Sequence, residues 1–210
     1  MILDAFTLAG KVAMVTGCDT GLGQGMAIAL AQAGCDIVGV NRKVPDETAA
    51  RVTALGRRFI AIRADLGKQE SIQSVVDNAV AEMGRIDILV NNAGTIRRAD
   101  ALEFSEKDWD EVIDLNLKSV FFLSQAVAKQ FIAQGQGGKI INIASMLSFQ
   151  GGIRVPSYTA SKSGVLGLTR LLANEWATLG INVNAIAPGY MATNNTRRYS
   201  IHINAQRCPF

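Results

Sequence analysis

The sequence predicts one α/β domain built on a doubly wound parallel sheet, and three observations carry that expectation. Short apolar, β-branched-rich runs alternate with longer amphipathic stretches along the chain. The runs are apolar at nearly every position, as in Ile86-Asp-Ile-Leu-Val, which suits strands covered on both faces. Gly34, Gly56, Gly84 and Gly180 each follow an amphipathic stretch, where a left-handed residue ends a helix.

Taken in order, the predicted strands span residues 11–16, 36–41, 58–63, 86–91, 139–144 and 182–187. The predicted helices span 22–33, 46–55, 69–83, 109–134 and 156–178. Ser105 followed by Asp108 is a capping-box-like start for the fourth helix. Val165, Leu168, Leu172 and Trp176 recur at helical spacing on the fifth, and Trp109 and Trp176 are expected to be core residues. Strict alternation places any ligand in the crevice at the carboxyl ends of the strands.

Composition narrows the class further. The 210 residues, 49% hydrophobic and 19% charged, fit one domain with one sizeable core. A net charge of +3 with no extended run of one sign gives no nucleic-acid footprint. Three cysteines, an odd count without a C-x-x-C pair, point to reduced thiols in a cytoplasmic protein, with Cys18 a small buried filler. No stretch reads as a signal peptide or a membrane span. His202 is the only histidine and has no ligand set around it, so no metal site is expected.

Two constellations carry chemistry. Gly17, Gly21 and Gly23, in Thr16-Gly17-Cys18-Asp19-Thr20-Gly21-Leu22-Gly23, lie between the first strand and the first helix. Glycines there permit a tight turn and close approach of a pyrophosphate, and the helix N-terminus presents free amides to the phosphates. Tyr158 and Lys162 stand four apart on one helical face. A lysine ammonium stabilises the phenolate and lowers the tyrosine pKa, so that the phenol exchanges a proton with an alcohol or ketone. Ser145, at a strand end thirteen residues earlier, is placed to hold the substrate oxygen.

The G-x-x-x-G-x-G spacing after a threonine, together with Ser145 and Tyr158-Thr-Ala-Ser-Lys162, resembles the short-chain dehydrogenase/reductase family over residues 8 to about 196. The resemblance implies a single-domain Rossmann fold with strand order 3-2-1-4-5-6, over residues 1–196. It implies that Asn116 is a fourth catalytic member, supporting a proton relay through water to the lysine. It implies cofactor contacts at Asp65 and Leu66 after the third strand, at Asn92, Ala93 and Gly94 after the fourth, and at Pro188, Gly189 and Thr193 after the sixth. Gly17, Asp19, Gly21, Leu22, Gly23 and Asn41, with Tyr158 and Lys162, complete that expected set. Asp19 in the loop and the lack of a basic residue at Thr20 favour NAD, whereas Arg42 argues for NADP.

The loops Thr95-Ile96-Arg97-Arg98, 148–154 and 187–195 are similar to those of the 2-deoxy-D-gluconate 3-dehydrogenase group, also described as 2-dehydro-3-deoxy-D-gluconate 5-dehydrogenases. That likeness implies a sugar-acid substrate, with Arg97 or Arg154 binding its carboxylate and Gln150 and Ser145 contacting it. It also implies a homo-oligomer, a tetramer in the family. Relatives continue into a lid helix and a seventh strand, which residues 197–210 do not resemble. A second expectation therefore stands beside the enzyme: a truncated, catalytically impaired Rossmann protein that binds only dinucleotide or partner subunits.

Overall fold

Six strands follow directly from the six apolar runs. In the computed structural model, which describes residues 2–191 (backbone alone for Leu3 and Asp4), they are β1 (Val12–Thr16), β2 (Asp36–Asn41), β3 (Phe59–Arg63), β4 (Ile88–Asn91), β5 (Gly138–Ile143) and β6 (Ile181–Ile186). All pair in parallel in the order β3-β2-β1-β4-β5-β6, as predicted. The order reverses between β1 and β4, where Ala13, Met14 and Val15 stand opposite Ile88, Leu89 and Val90. Loops leaving those two strands diverge and open a crevice.

Among the described residues, seven α-helices accompany the sheet. They are α1 (Gly21–Gln32), α2 (Asp46–Ala54), α3 (Ser71–Met83), α4 (Glu106–Ile113), α5 (Ser119–Gln134), the single turn α6 (Leu147–Gln150) and α7 (Pro156–Trp176). The strand period of two explains the continuous apolar runs. Along β1, Val12 and Met14 join a core with side chains of α3, α5 and α7, while Ala13 and Val15 join a second core with α1 and α2. Gly34, Gly56, Gly84 and Gly180 all have positive φ, as their positions after helices require.

The single helix predicted over 109–134 is three segments. It starts earlier, at Glu106, because the Ser105 hydroxyl caps it by accepting the Asp108 amide. A wider π turn, Asp114–Lys118, then separates α4 from α5. Trp109 is exposed rather than core, whereas Trp176 packs half-buried against the larger core.

Asp87 ties the amino ends of β1 and β4 together. Its carboxylate accepts from the Val12 amide at 2.9 Å, from Arg85 at 2.8 and 2.5 Å, and from Lys11 at 3.3 Å. Burial pushes the Asp87 pKa up, but the hydrogen bonds from Arg85, Val12 and Lys11 outweigh it and hold the group below its ordinary value. A depressed folded-state pKa adds stability that is present above the unfolded value of ~3.9 and lost as the pH falls through the folded one. Asp87→Asn is therefore expected to cost about 1–3 kcal/mol at pH 7. In urea titrations the gap between wild type and variant should close below about pH 4; a gap that does not vary with pH would refute the ionic role.

Candidate active site at the carboxyl edge of the sheet

Thr16, the last residue of β1, organises the crevice. Its Oγ1 accepts the amides of Asn92 and Ala93, both at 2.9 Å, and lies 3.3 Å from the Val90 carbonyl, to which it donates. The Asn92 side chain returns the link, its Nδ2 donating to the carbonyls of Thr16 and Gly17 at 2.9 Å each. The glycine loop is thus fastened to the chain leaving β4. A Cβ on Gly23 would lie 2.1 Å from the Gly17 carbonyl oxygen, and one on Gly17 would lie 2.9 Å from the Ala93 Cα. Gly17 also has a φ of +64°. Both glycines are required by this close approach.

A cavity of about 670 Å³ opens above these contacts. One end is walled by Gly17, Asp19, Thr20, Gly21, Leu22 and Gly23, with Asn92, Ala93 and Gly94 alongside. The other end is walled by Ser145, Tyr158, Lys162, Pro188 and Gly189, together with Arg98, Arg154 and Ile153. At the first end α1 begins at Gly21 behind an extended Thr20, so the first-turn amides lack intrahelical partners and face an anion site. The volume and this amide cradle fit an elongated ligand with a phosphate-bearing middle.

Position along β5 and α7 brings the predicted catalytic side chains together. Ser145 follows β5; its Oγ accepts the Leu147 amide at 3.2 Å, and the side chain stands near enough to Tyr158 to lower the pKa of the phenol. The Ser148 hydroxyl, on α6, accepts the Ser145 amide at 3.2 Å and donates to the Lys162 carbonyl at 2.8 Å, locking Ser145 to α7. Lys162 is buried; its Nζ donates to the Ile143 carbonyl at 2.5 Å and lies 5.8 Å from the centre of the Tyr158 ring. Burial lowers the Lys162 pKa to about 8.

Tyr158 departs from expectation. Burial pushes its pKa up, against the opposing effects of the Ser145 hydrogen bond and the positive charge of Arg98. The expected lowering by Lys162 is not among these influences; the lysine is desolvated, and its Nζ donates to the Ile143 carbonyl.

Asn116 is buried on the π turn and does not reach Lys162 with its side chain. Its Oδ1 accepts the Thr95 amide at 2.8 Å, and its Nδ2 donates to the Thr95 carbonyl at 2.9 Å and to Ser161 Oγ at 3.3 Å. It therefore anchors the loop that follows Gly94.

Several predicted contacts lie outside the cavity wall. Arg97 is held by Glu111 at 2.7 Å, by Asp108 at 3.4 Å and by Thr95 Oγ1 at 2.9 Å, and it is not part of the cavity lining. Arg98, which sequence reasoning passed over, lines the wall instead. Gln150 ends α6 exposed and outside the lining. Leu66 points into the larger core, and Asp65 accepts the Gly67 amide of its own turn at 3.2 Å. Asn41 closes β2 buried, its Nδ2 3.3 Å from the buried Cys18 thiol and its Oδ1 without a hydrogen-bond partner. Thr193, His202, Cys208 and the predicted tail 197–210 lie outside the described residues.

A family model described as short chain dehydrogenase matches residues 11–203. The chain is 76% identical over 198 residues to the 2-dehydro-3-deoxy-D-gluconate 5-dehydrogenase of Escherichia coli (strain K12), covering 94% of this chain and 78% of the relative. It is 71% identical over 198 residues to the enzyme of that name from Dickeya dadantii (strain 3937), again covering 94% and 78%. The crystal structure of a putative 2-deoxy-D-gluconate 3-dehydrogenase from Agrobacterium tumefaciens, with bound NADP, aligns with a TM-score of 0.84 at 54% identity, covering 95% of this chain and 79% of that one. With both the family model and these relatives matched along nearly all of its length, the chain belongs to the short-chain dehydrogenase/reductase family of oxidoreductases.

Proposed function

We propose that the protein transfers hydride between NAD(H) and a hydroxyl or keto group of a deoxy sugar acid of the 2-dehydro-3-deoxy-D-gluconate type. The observation that carries this reading is a single cavity bounded by the glycine loop at one end and by Ser145, Tyr158 and Lys162 at the other. The names of the E. coli and D. dadantii relatives support the substrate class. The alternative of a truncated, impaired protein gains no support, since the catalytic side chains converge and the similarity runs through them.

The first-turn amides of α1 would hold the pyrophosphate, and Tyr158, Lys162, Pro188 and Gly189 would bound the nicotinamide end. A bound nicotinamide supplies or accepts the hydride. Tyr158 Oη donates a proton to the substrate oxygen when a carbonyl is reduced and takes it back when an alcohol is oxidised. The Ser145 hydroxyl, in the same stretch of wall as Tyr158, holds that oxygen in place as its charge develops. Lys162 keeps a positive charge beneath the phenol ring, and Asn116 holds the Thr95 backbone at the wall.

NAD is the preferred form in this reading. Asp19 stands in the wall at the glycine end, while the lining cations Arg98, Arg154 and Lys162 all stand at the other. A carboxylate beside the loop opposes a 2′-phosphate. The NADP in the Agrobacterium structure makes this a point for direct test.

Three measurements check the proposal. Wild type should oxidise NADH with a keto-deoxy sugar acid, with Tyr158→Phe lowering kcat by about 10²–10⁴-fold; no turnover of the acid by wild type would overturn the reading. KM should be lower for NADH than for NADPH, and Arg42→Ala should weaken NADPH alone. Because the folded Lys162 pKa is lowered to about 8, its charge is present below that pH and lost above it. The kcat/KM for carbonyl reduction should accordingly fall as the pH rises through about 8, and a flat profile to pH 10 would exclude Lys162 as the group responsible.

A further inference from the structure

Arg154 has a backbone conformation that its side chain does not favour. It is the only non-glycine with positive φ among the described residues, at +63°. Left-handed backbone strains a residue that carries a Cβ, so it persists only where surrounding contacts hold it. Gly151, three residues earlier, also has positive φ, at +76°, so the loop between α6 and α7 reverses sharply.

Two contacts accompany the strained residue, and both reach the same place. The Arg154 carbonyl accepts the Ala99 amide at 3.2 Å, and its Nε pairs with Asp100 Oδ1 at 3.1 Å. Ala99 and Asp100 belong to the loop that leaves β4, across the cavity mouth in sequence from α6 and α7. Arg98 directly precedes them and lines the wall with Tyr158. On its other side, Arg97 is fixed to α4 through Glu111 and Asp108. Arg98 is therefore held between two anchored neighbours.

We propose that Arg154 is a positioning residue: with Asp100 it clasps the two loops that bound the substrate end of the cavity, and so sets the placement of Arg98, the group that receives the substrate carboxylate. The assignment of the carboxylate to Arg98 rests on the sugar-acid reading above; the clasp does not. Arg98 stands in the wall close enough to Tyr158 for its charge to act on the phenol, as a carboxylate-binding cation beside the reacting group must. A guanidinium there holds a carboxylate through paired hydrogen bonds.

Asp100→Asn separates the clasp from direct binding by Arg154, since the two predict opposite signs. If Arg154 bound the substrate itself, freeing it from Asp100 would leave KM for the acid unchanged or lower. The clasp predicts a rise of about two- to fivefold, the range expected of an exposed ion pair, with kcat within twofold of wild type. The exchanged pair Asp100→Arg with Arg154→Asp should restore KM, because aspartate tolerates left-handed backbone. Arg154→Gly relieves the strained φ and should not lower Tm, yet it should raise KM for the acid. Amide hydrogen exchange supplies a readout independent of turnover: Asp100→Asn and Arg154→Gly should speed exchange at Ala99. Unchanged exchange at Ala99 in both variants, or a KM for the acid that falls in Asp100→Asn, would overturn the clasp. Failure of wild type to act on the acid would overturn the substrate reading alone.

Discussion

The structure depends on what happens where β1 and β4 end side by side. Parallel pairing brings the Thr16 carbonyl region against Asn92 and Ala93, and the Thr16 hydroxyl answers three backbone groups there at once. A buried backbone group left without a partner costs about 1–3 kcal/mol, so this one hydroxyl removes a large penalty at the point where the two chains separate. Asn92 completes the junction from the other side. At this junction a side chain is excluded at position 23 by contact, and at position 17 by both contact and a left-handed backbone. The amino ends of the same strands are closed by Asp87. Binding and stability thus occupy opposite ends of one strand pair.

Burial decides the electrostatics of the catalytic end. Desolvation raises the Tyr158 pKa and lowers that of Lys162, and in each case it is the largest influence. The two shifts have opposite signs and one cause, because loss of water disfavours the charged form of each group. Arg98 opposes the upward shift of Tyr158 from the wall of the cavity. A cation that acts on the phenol is therefore supplied by a loop.

How much of this was legible in the sequence follows from which residues have a periodic environment. The strands, their parallel order and the glycine loop were readable because apolar runs and glycine spacing are local consequences of backbone geometry. Tyr158 and Lys162 were readable because four residues on a helix fix a face. Arg97 and Arg98 show the opposite case: adjacent residues on an irregular loop have no period, and only the acids of α4 decide which one turns away. The π turn that buries Asn116 was missed because one extra residue per turn leaves no compositional trace in a helical stretch. Leu66 and Gln150 were placed at the site by resemblance alone, yet one packs in the core and the other faces outward. Ser148 was passed over because an isolated serine near a turn has many ordinary uses, and only its two partners distinguish it.

The distribution of charge around the cavity is uneven. A net charge of +3 over 210 residues says little, but the cavity wall is polarised, with Asp19 at the glycine end and Arg98, Arg154 and Lys162 at the catalytic end. An anionic substrate approaching the mouth is drawn to the end where the proton is exchanged, and low-dielectric walls strengthen that pull. At the glycine end the lining has no cation, and the positive potential there comes from the helix amides and is local and short-ranged. The polarity of the wall is set by which loops leave which strands: the acid sits on the loop after β1, and the cations on the loop after β4 and on the segment from α6 into α7.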